Sequence, residues 1–224
     1  MSDLGADLNE CASQYYGDDG TRKPLTYWIE YDRVLRDCRG LPVRILELGV
    51  ASGASLLTLR DYMPHATIVG IDTCDCPARV LGQKRIHFIQ GSQEDSAILD
   101  RAGQLAGNFD LIIDDASHIG YVTKRSFCHL FPRWLVAGGW YAIEDFGTGF
   151  LPEYPDGAGF RAPPPDDAQP ATRQFESHQF GMVGVVKQIL DYMMQELMTG
   201  THSFLDVDQI VLRPNIAVIH KAIR

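Results

Sequence analysis

The chain has 224 residues, a length for one large α/β domain or two small ones, able to bury roughly 70–75% of its unfolded surface. Hydrophobic residues at 45% and charged residues at 22% exclude general disorder. Twenty Lys+Arg against 29 Asp+Glu give a net charge of −9, the reverse of the basic excess that nucleic-acid binding needs. The expected partner is a cation, a metal-bound ligand or something neutral, and not nucleic acid.

Cysteine usage and the start of the chain bear on compartment. The five cysteines are an odd count, and residues 1–20 are polar and acidic, with no apolar stretch of a signal peptide. No window approaches the ~18 apolar residues of a membrane helix. The expectation is a reduced, cytoplasmic protein with no membrane partner. Cys74-x-Cys76 has no second Cys/His pair at zinc-site spacing, so structural zinc is not expected.

Residues 1–25, broken by Gly17, Gly20 and Pro24, read as an irregular arm, and residues 1–40 together as an N-terminal arm or cap. Tyr27–Cys38 carries a helical pattern that stops at Gly40 and Pro42. A strand–helix rhythm follows: strand Arg44–Leu48, helix Ala54–Tyr62, strands Thr67–Asp72 and Arg85–Gln90, helix Ser96–Leu105. Phe109–Ile113 is a continuous apolar run, as in a strand buried on both faces. Helix Tyr121–Leu130 and strand Trp140–Ile143, after Gly138-Gly139, complete the alternation. Such alternation implies a parallel sheet with helices on both faces.

Residues 146–175 hold six of the twelve prolines and four glycines. A loop that long in a compact domain reads as an active-site lid, with few apolar anchors to hold it. Met182, Val186, Ile189, Leu190, Met193 and Leu197 then share one helix face, a core-facing stripe. Val207–Leu212 and Ile216–Ile219, around Arg213-Pro214-Asn215, read as a terminal strand pair with a tight turn. The whole, residues 1–224, reads as one domain.

Two sets of residues carry chemistry. Strand 44–48 runs into Gly49-Val50-Ala51-Ser52-Gly53, a turn where glycine lets backbone approach a ligand. The dinucleotide fingerprint has Gly where Ala51 stands. Alone this is a weak motif, since short glycine turns after strands are often only tight turns. Asp72, 23 residues after Gly49 at the end of the next strand, adds the acid that binds ribose hydroxyls in doubly wound sheets. The pair points to an adenosine-type ligand without separating NAD from S-adenosylmethionine.

The second set is Asp114-Asp115-Ala116-Ser117-His118 and Glu144-Asp145, at the ends of the fourth and fifth strands. In a parallel sheet both emerge on the ligand-binding carboxyl edge. Four converging carboxylates repel unless a cation sits among them, and oxygen ligands suit Mg²⁺, Ca²⁺ or Mn²⁺. His118 is the natural proton acceptor nearby. The plainer alternatives are helix caps for Asp114 and Asp115, a structural His118, and a solvated loop start at Glu144-Asp145. No Gly-x-Ser-x-Gly elbow or Walker loop is present.

The stretches ELGVASGAS (47–55), GID (70–72), GSQED (91–95), DDASH (114–118) and LFPRWLVAGGWYAIEDFGT (130–148) resemble the macrolide-sugar O-methyltransferases of the macrocin and mycinamicin type. The cephalosporin-hydroxylase-like group shares these motifs. The resemblance covers about residues 10–221 and is specific in the paired DDxSH and IED motifs. It implies a Rossmann-like class I methyltransferase fold, a mostly parallel doubly wound sheet with an antiparallel terminal strand. It implies S-adenosylmethionine and Mg²⁺ (or Mn²⁺) as cofactors and a glycosylated small molecule as substrate. By the same resemblance Asp115, Glu144 and Asp145 are metal ligands and His118 the general base. Glu47, Gly49, Ala51, Gly53, Asp72, Ser92, Gln93 and Asp114 are cofactor-binding. Ser92 and Ala116 depart from the family's usual Asp and Gly. Assembly into a homo-oligomer is compatible with this reading. The alternatives are a catechol-type O-methyltransferase, a non-catalytic S-adenosylmethionine-fold subunit and an NAD-dependent oxidoreductase; the last lacks an evident hydride-transfer set.

Overall fold

The structure is a computed structural model that describes residues 6–16, 23–160, 179–200 and 205–223. Helices are α1 (Ala6–Ser13), α2 (Leu25–Leu35), α3 (Ala54–Tyr62), α4 (Ser96–Ala106), α5 (Gly120–Trp134) and α6 (Gly181–Thr199). Strands are β1 (Arg44–Leu48), β2 (Thr67–Asp72), β3 (Ile86–Gln90), β4 (Phe109–Asp114), β5 (Leu135–Glu144), β6 (Val207–Arg213) and β7 (Ile216–Lys221). They form one sheet ordered β3-β2-β1-β4-β5-β7-β6. The first five strands are mutually parallel, and β7 runs antiparallel to both β5 and β6. This is the doubly wound sheet with an antiparallel end that the sequence implies.

Alternation along each strand divides the core into two layers. Ile45, Ile68, Leu111, Ile113, Ala142, Ile216 and Val218 point to the layer formed with α1, α2 and α3. Leu46, Leu48, Val69, Ile112, Tyr141, Ile143 and Ala217 point to the layer formed with α4, α5 and α6. The chain order reverses between β1 and β4, so the chain leaving residues 48 and 114 runs to helices on opposite faces of the sheet, and a crevice opens at this switch point.

Five expectations need correcting. The α6 stripe faces the core only in part: Met182, Val186 and Ile189 are buried, whereas Leu190 and Leu197 are exposed. The arm is not irregular throughout: α1 is a helix whose Leu8 and Ala12 are buried, with Cys11 and Tyr15 packed on the same core. The spacing 8, 11, 12, 15 is an apolar helical stripe, hidden in the sequence by the polar residues around it. Helix α5 runs on to Trp134 through Pro132; the Lys221 ammonium donates to the Pro132 and Leu135 carbonyls at its end (3.0 and 2.7 Å). Strand β5 begins at Leu135, not Trp140, because a bulge around Gly138 (φ 78°) separates its first pairing, Leu135 with Phe109, from the rest. The first part of the expected lid is anchored: Phe146–Phe150 is a 3₁₀ helix and Phe150 meets Phe160 edge-on at 5.0 Å. The Asp156 carboxylate also accepts from Gly120 N (2.6 Å) and Met182 N (3.1 Å), at the starts of α5 and α6. The rest of the lid, from residue 161, lies outside the described residues.

Helix α1 is then part of the core and not an appendage. Leu8→Ala is expected to lower stability by about 2–5 kcal/mol, the usual cost of a buried Leu-to-Ala change. Urea denaturation followed by circular dichroism measures it, and a change below ~0.5 kcal/mol, typical of surface positions, contradicts the packing of α1.

Candidate active site at the carboxyl edge

The loop after β1 is shaped by close approach. Gly49 has φ 86°, and a Cβ there would lie 2.0 Å from the Asp115 carbonyl oxygen, so only glycine lets the β1 and β4 exits run side by side. Ala51 also adopts a left-handed conformation (φ 46°), at the position where the fingerprint has glycine. Gly53 starts α3 with φ 81°. Asp72 closes the loop: its Oδ2 accepts from Val50 N (2.7 Å) and Ala51 N (3.0 Å), and its Oδ1 from Cys74 N (2.9 Å). Burial works to raise the Asp72 pKa, but these backbone N–H groups outweigh it and hold the carboxyl below its ordinary value.

A cavity of about 530 Å³ lies over this edge. Gly49, Ala51, Asp72, Asp115, His118, Glu144 and Asp145 all line it, with Tyr16, Tyr27 and Tyr154. A smaller adjoining cavity of about 210 Å³ shares Gly49 and Asp72 and contains Ser92 and Gln93. Glu47 is buried beneath, taking a hydrogen bond from Ser55 Oγ (2.6 Å). The structure therefore brings the two sequence motifs to one crevice.

Asp114 and Gln93 answer to each other. Gln93 Nε2 donates to both Asp114 oxygens (3.0 and 3.2 Å), and Gln93 Oε1 accepts from Ser117 N (2.9 Å). Ser126 and Tyr141 hydroxyls also donate to Asp114. Burial pushes the Asp114 carboxyl up to about 6. Asp114 thus sits under the floor, holding the turn that carries Asp115 to His118. Neither Asp114 nor Asp115 caps α5: Ile119 occupies that position, with no side-chain cap.

Asp115, His118 and Asp145 bring one potential ligand atom each within 4.8 Å of one another. His118 and Asp145 both have φ 52°, a left-handed backbone that such residues adopt rarely and that is typical of functional sites. His118 Nδ1 is buried with no hydrogen-bond partner, while Nε2 approaches Asp115 Oδ1 at 3.8 Å. The Tyr154 ring, from the segment after β5, stands edge-on to the imidazole at 6.1 Å. Oxygen donors in this number, with an imidazole whose nitrogens are not committed to hydrogen bonds, fit a hard divalent cation.

Sequence reasoning missed four residues that hold these acids. Lys23 Nζ lies 2.5 Å from Asp115 Oδ2, 2.7 and 2.8 Å from the two Glu144 oxygens and 3.4 Å from Glu47 Oε1. Tyr31 OH donates to Glu144 Oε1, and Tyr27 OH donates to Asp145 Oδ1 (2.6 Å) and to the Asn215 carbonyl (2.9 Å). Asn215, in the β6–β7 turn, donates through Nδ2 to Asp145 Oδ1 (2.6 Å) and accepts from Gly147 N (2.7 Å). The one available signal was Tyr27 and Tyr31 at i, i+4, two polar-tipped residues on the buried face of α2. Burial raises the pKa of both tyrosines, so each is a hydroxyl donor at neutral pH. Burial also raises Glu47, and raises Glu144 together with the charge of Asp115. For Lys23 burial acts downward, but Asp115, Glu144 and Glu47 outweigh it and hold the ammonium charged.

No protein-family model matches the chain. It is 37% identical over 157 residues to mycinamicin VI 2''-O-methyltransferase of Micromonospora griseorubida, covering 66% of this chain and 38% of that protein. It is 31% identical over 199 residues to demethylmacrocin O-methyltransferase of Streptomyces fradiae, covering 85% and 45%. The chain thus spans less than half the length of these curated relatives. The MycE methyltransferase from the mycinamycin biosynthetic pathway, solved with Mg, SAH and mycinamycin VI, superimposes with a TM-score of 0.75 at 29% identity, covering 96% of this chain and 54% of that one. A putative caffeoyl-CoA O-methyltransferase from Staphylococcus aureus, at TM-score 0.58 and 16% identity over 99% of this chain and 93% of that one, shares the fold. The chain has the Rossmann-like methyltransferase fold, and its homologues are sugar O-methyltransferases of macrolide and tetracenomycin pathways.

The glycine loop depends on an ionised Asp72. Because the folded state holds this carboxyl below its ordinary pKa, its stabilisation is complete above the unfolded value of about 3.9. It is lost as pH falls through the lower folded value. Asp72→Asn is expected to melt below the wild type at pH 7, with the gap narrowing as pH falls below about 3.9. A gap of constant size across that range contradicts the assigned role of the three N–H donors.

Proposed function

We propose that this chain is an S-adenosylmethionine- and divalent-metal-dependent O-methyltransferase acting on a sugar hydroxyl of a glycosylated natural product. The observation that carries the reading is that the glycine loop with Asp72 and the Asp115–His118–Asp145 group line one cavity. Homology to sugar O-methyltransferases gives the acceptor class.

In this reading Gly49, Ala51 and Asp72 hold the adenosyl part of the cofactor, with Ser92 and Gln93 on the side of the smaller cavity. Glu47 faces the loop from beneath. Asp115, Glu144 and Asp145 would hold the metal ion. When bound, the ion lowers the pKa of the acceptor hydroxyl, and S-adenosylmethionine supplies an electrophilic methyl group. His118 Nε2, on the acid side of its ring, accepts the hydroxyl proton as the C–O bond forms and the methyl–sulfur bond breaks. The proton leaves on the imidazolium and S-adenosylhomocysteine is the second product. Asn215 and Tyr27 fix Asp145, and the Gln93–Asp114 pair fixes the turn bearing Asp115 and His118, so the reacting groups are placed before substrate arrives. Tyr16, Tyr27 and Tyr154 give the cavity wall aromatic faces with polar tips, a surface suited to a sugar. The five cysteines form no disulfide, in keeping with a reducing compartment. No described helix is long and apolar enough to cross a membrane.

Mass spectrometry of a glycosylated macrolide incubated with protein, S-adenosylmethionine and Mg²⁺ is expected to show addition of one methyl group. The same aglycone without its sugar should stay unmodified. EDTA should abolish transfer and excess Mg²⁺ restore it. His118→Ala should lower kcat by about 10²–10⁴, the usual share of general-base catalysis, with S-adenosylhomocysteine affinity retained. Full turnover in excess chelator, or rescue of the His118 variant by added Mg²⁺, contradicts these roles.

A further inference from the structure

The methyl-transfer reading leaves one buried charge unused. Lys23 is only 9% exposed in its side chain, yet its ammonium lies among Glu47 of β1, Asp115 just past β4 and Glu144 of β5. It sits between both Glu144 oxygens and one Asp115 oxygen, two of the three carboxylates assigned to the metal. Glu47 Oε1 is buried and makes no hydrogen bond, its nearest cation being this ammonium at 3.4 Å.

Three carboxylates gathered in low dielectric need a cation. The place Lys23 fills is the place from which Glu144 would ligate an ion, since both of its oxygens are engaged by the ammonium. An ammonium and a divalent ion held by the same oxygens repel one another strongly. If Glu144 ligates the ion, one must therefore leave when the other arrives.

We propose, resting on the metal-dependent reading above, that Lys23 is a tethered counter-ion. It occupies the acid pocket in the metal-free protein and is displaced by the divalent ion, so that the two compete for Glu144 and Asp115. Lys23 and Pro24 also line the 530 Å³ cavity beside Tyr16 and Tyr27. Displacement of Lys23 therefore couples metal loading to rearrangement of the cavity wall at the start of α2. The competing arrangement is a permanent Lys23–Glu144 pair with the ion held by Asp115, His118 and Asp145 alone.

The full chain and its Lys23→Met variant would be titrated with Mn²⁺, following the free-ion signal by electron paramagnetic resonance. Removal of the competitor is expected to tighten Mn²⁺ binding by about 10-fold, within the usual range of coupling between two ligands. The metal-free variant should also melt below the wild type and gain more from Mn²⁺. Should the variant fail to fold, the wild type alone decides: acylation by an N-hydroxysuccinimide ester, mapped by peptide mass, should spare Lys23 without Mn²⁺ and label it at saturating Mn²⁺. Equal or weaker Mn²⁺ affinity in the variant, or Lys23 still protected at saturation, overturns the exchange and leaves the metal site standing. Absence of Mn²⁺ binding to both proteins overturns the metal reading and the exchange with it.

Discussion

Buried carboxylates at the carboxyl edge of the sheet must be matched by positive charge. Glu47, Asp115 and Glu144 arrive there from three neighbouring strands, because parallel strands all deliver their ends to one side. Removing one partner from a buried ion pair typically costs about 3–5 kcal/mol, so a cation in this place contributes to the stability of the fold. Lys23 meets it, with Tyr31 taking a further Glu144 lone pair and Tyr27 with Asn215 taking those of Asp145. The N-terminal helices and the β6–β7 hairpin, at opposite ends of the chain, are thereby tied to the centre of the sheet.

The backbone around the acids is under local constraint. Ala51, His118 and Asp145 take left-handed conformations within one cavity. Each costs on the order of 1–3 kcal/mol and persists only because the surroundings enforce it. The enforcement is visible: Asp72 binds the N–H of Ala51, Gln93 binds the N–H of Ser117, and Asn215 binds Asp145 and the N–H of Gly147. Rigidity is thus concentrated where a cofactor, a metal and a hydroxyl would have to be held in line.

Local sequence disclosed much of this. Strands 44–48 and 67–72 and helix 54–62 have the boundaries that their apolar runs and flanking glycines imply, and the acids after β4 and β5 fall on the edge expected of a parallel sheet. What stayed hidden depends on long-range partners. Lys23 stands in a polar stretch before Pro24, and nothing nearby in the chain shows that it lies against residues 115 and 144. Asn215 reads as a turn residue and is one, yet its side chain also holds Asp145 from 70 residues away. Gln93 and Asp114 read as ligand contacts, whereas much of their hydrogen-bonding capacity goes to each other. Helix α1 was obscured because Leu8, Cys11 and Ala12 lie among polar neighbours, and a short stripe is a weak signal without the surface it packs on.

On the proposed exchange, this acid pocket holds one cation at a time, and the cation decides where Lys23 lies. Anomalous scattering from crystals loaded with Mn²⁺ and S-adenosylhomocysteine tests it directly. The expected result is an anomalous peak bounded by Asp115, Glu144 and Asp145, with the Lys23 ammonium withdrawn from Glu144. A peak with Lys23 still seated between the Glu144 oxygens, or no peak among these carboxylates, contradicts it.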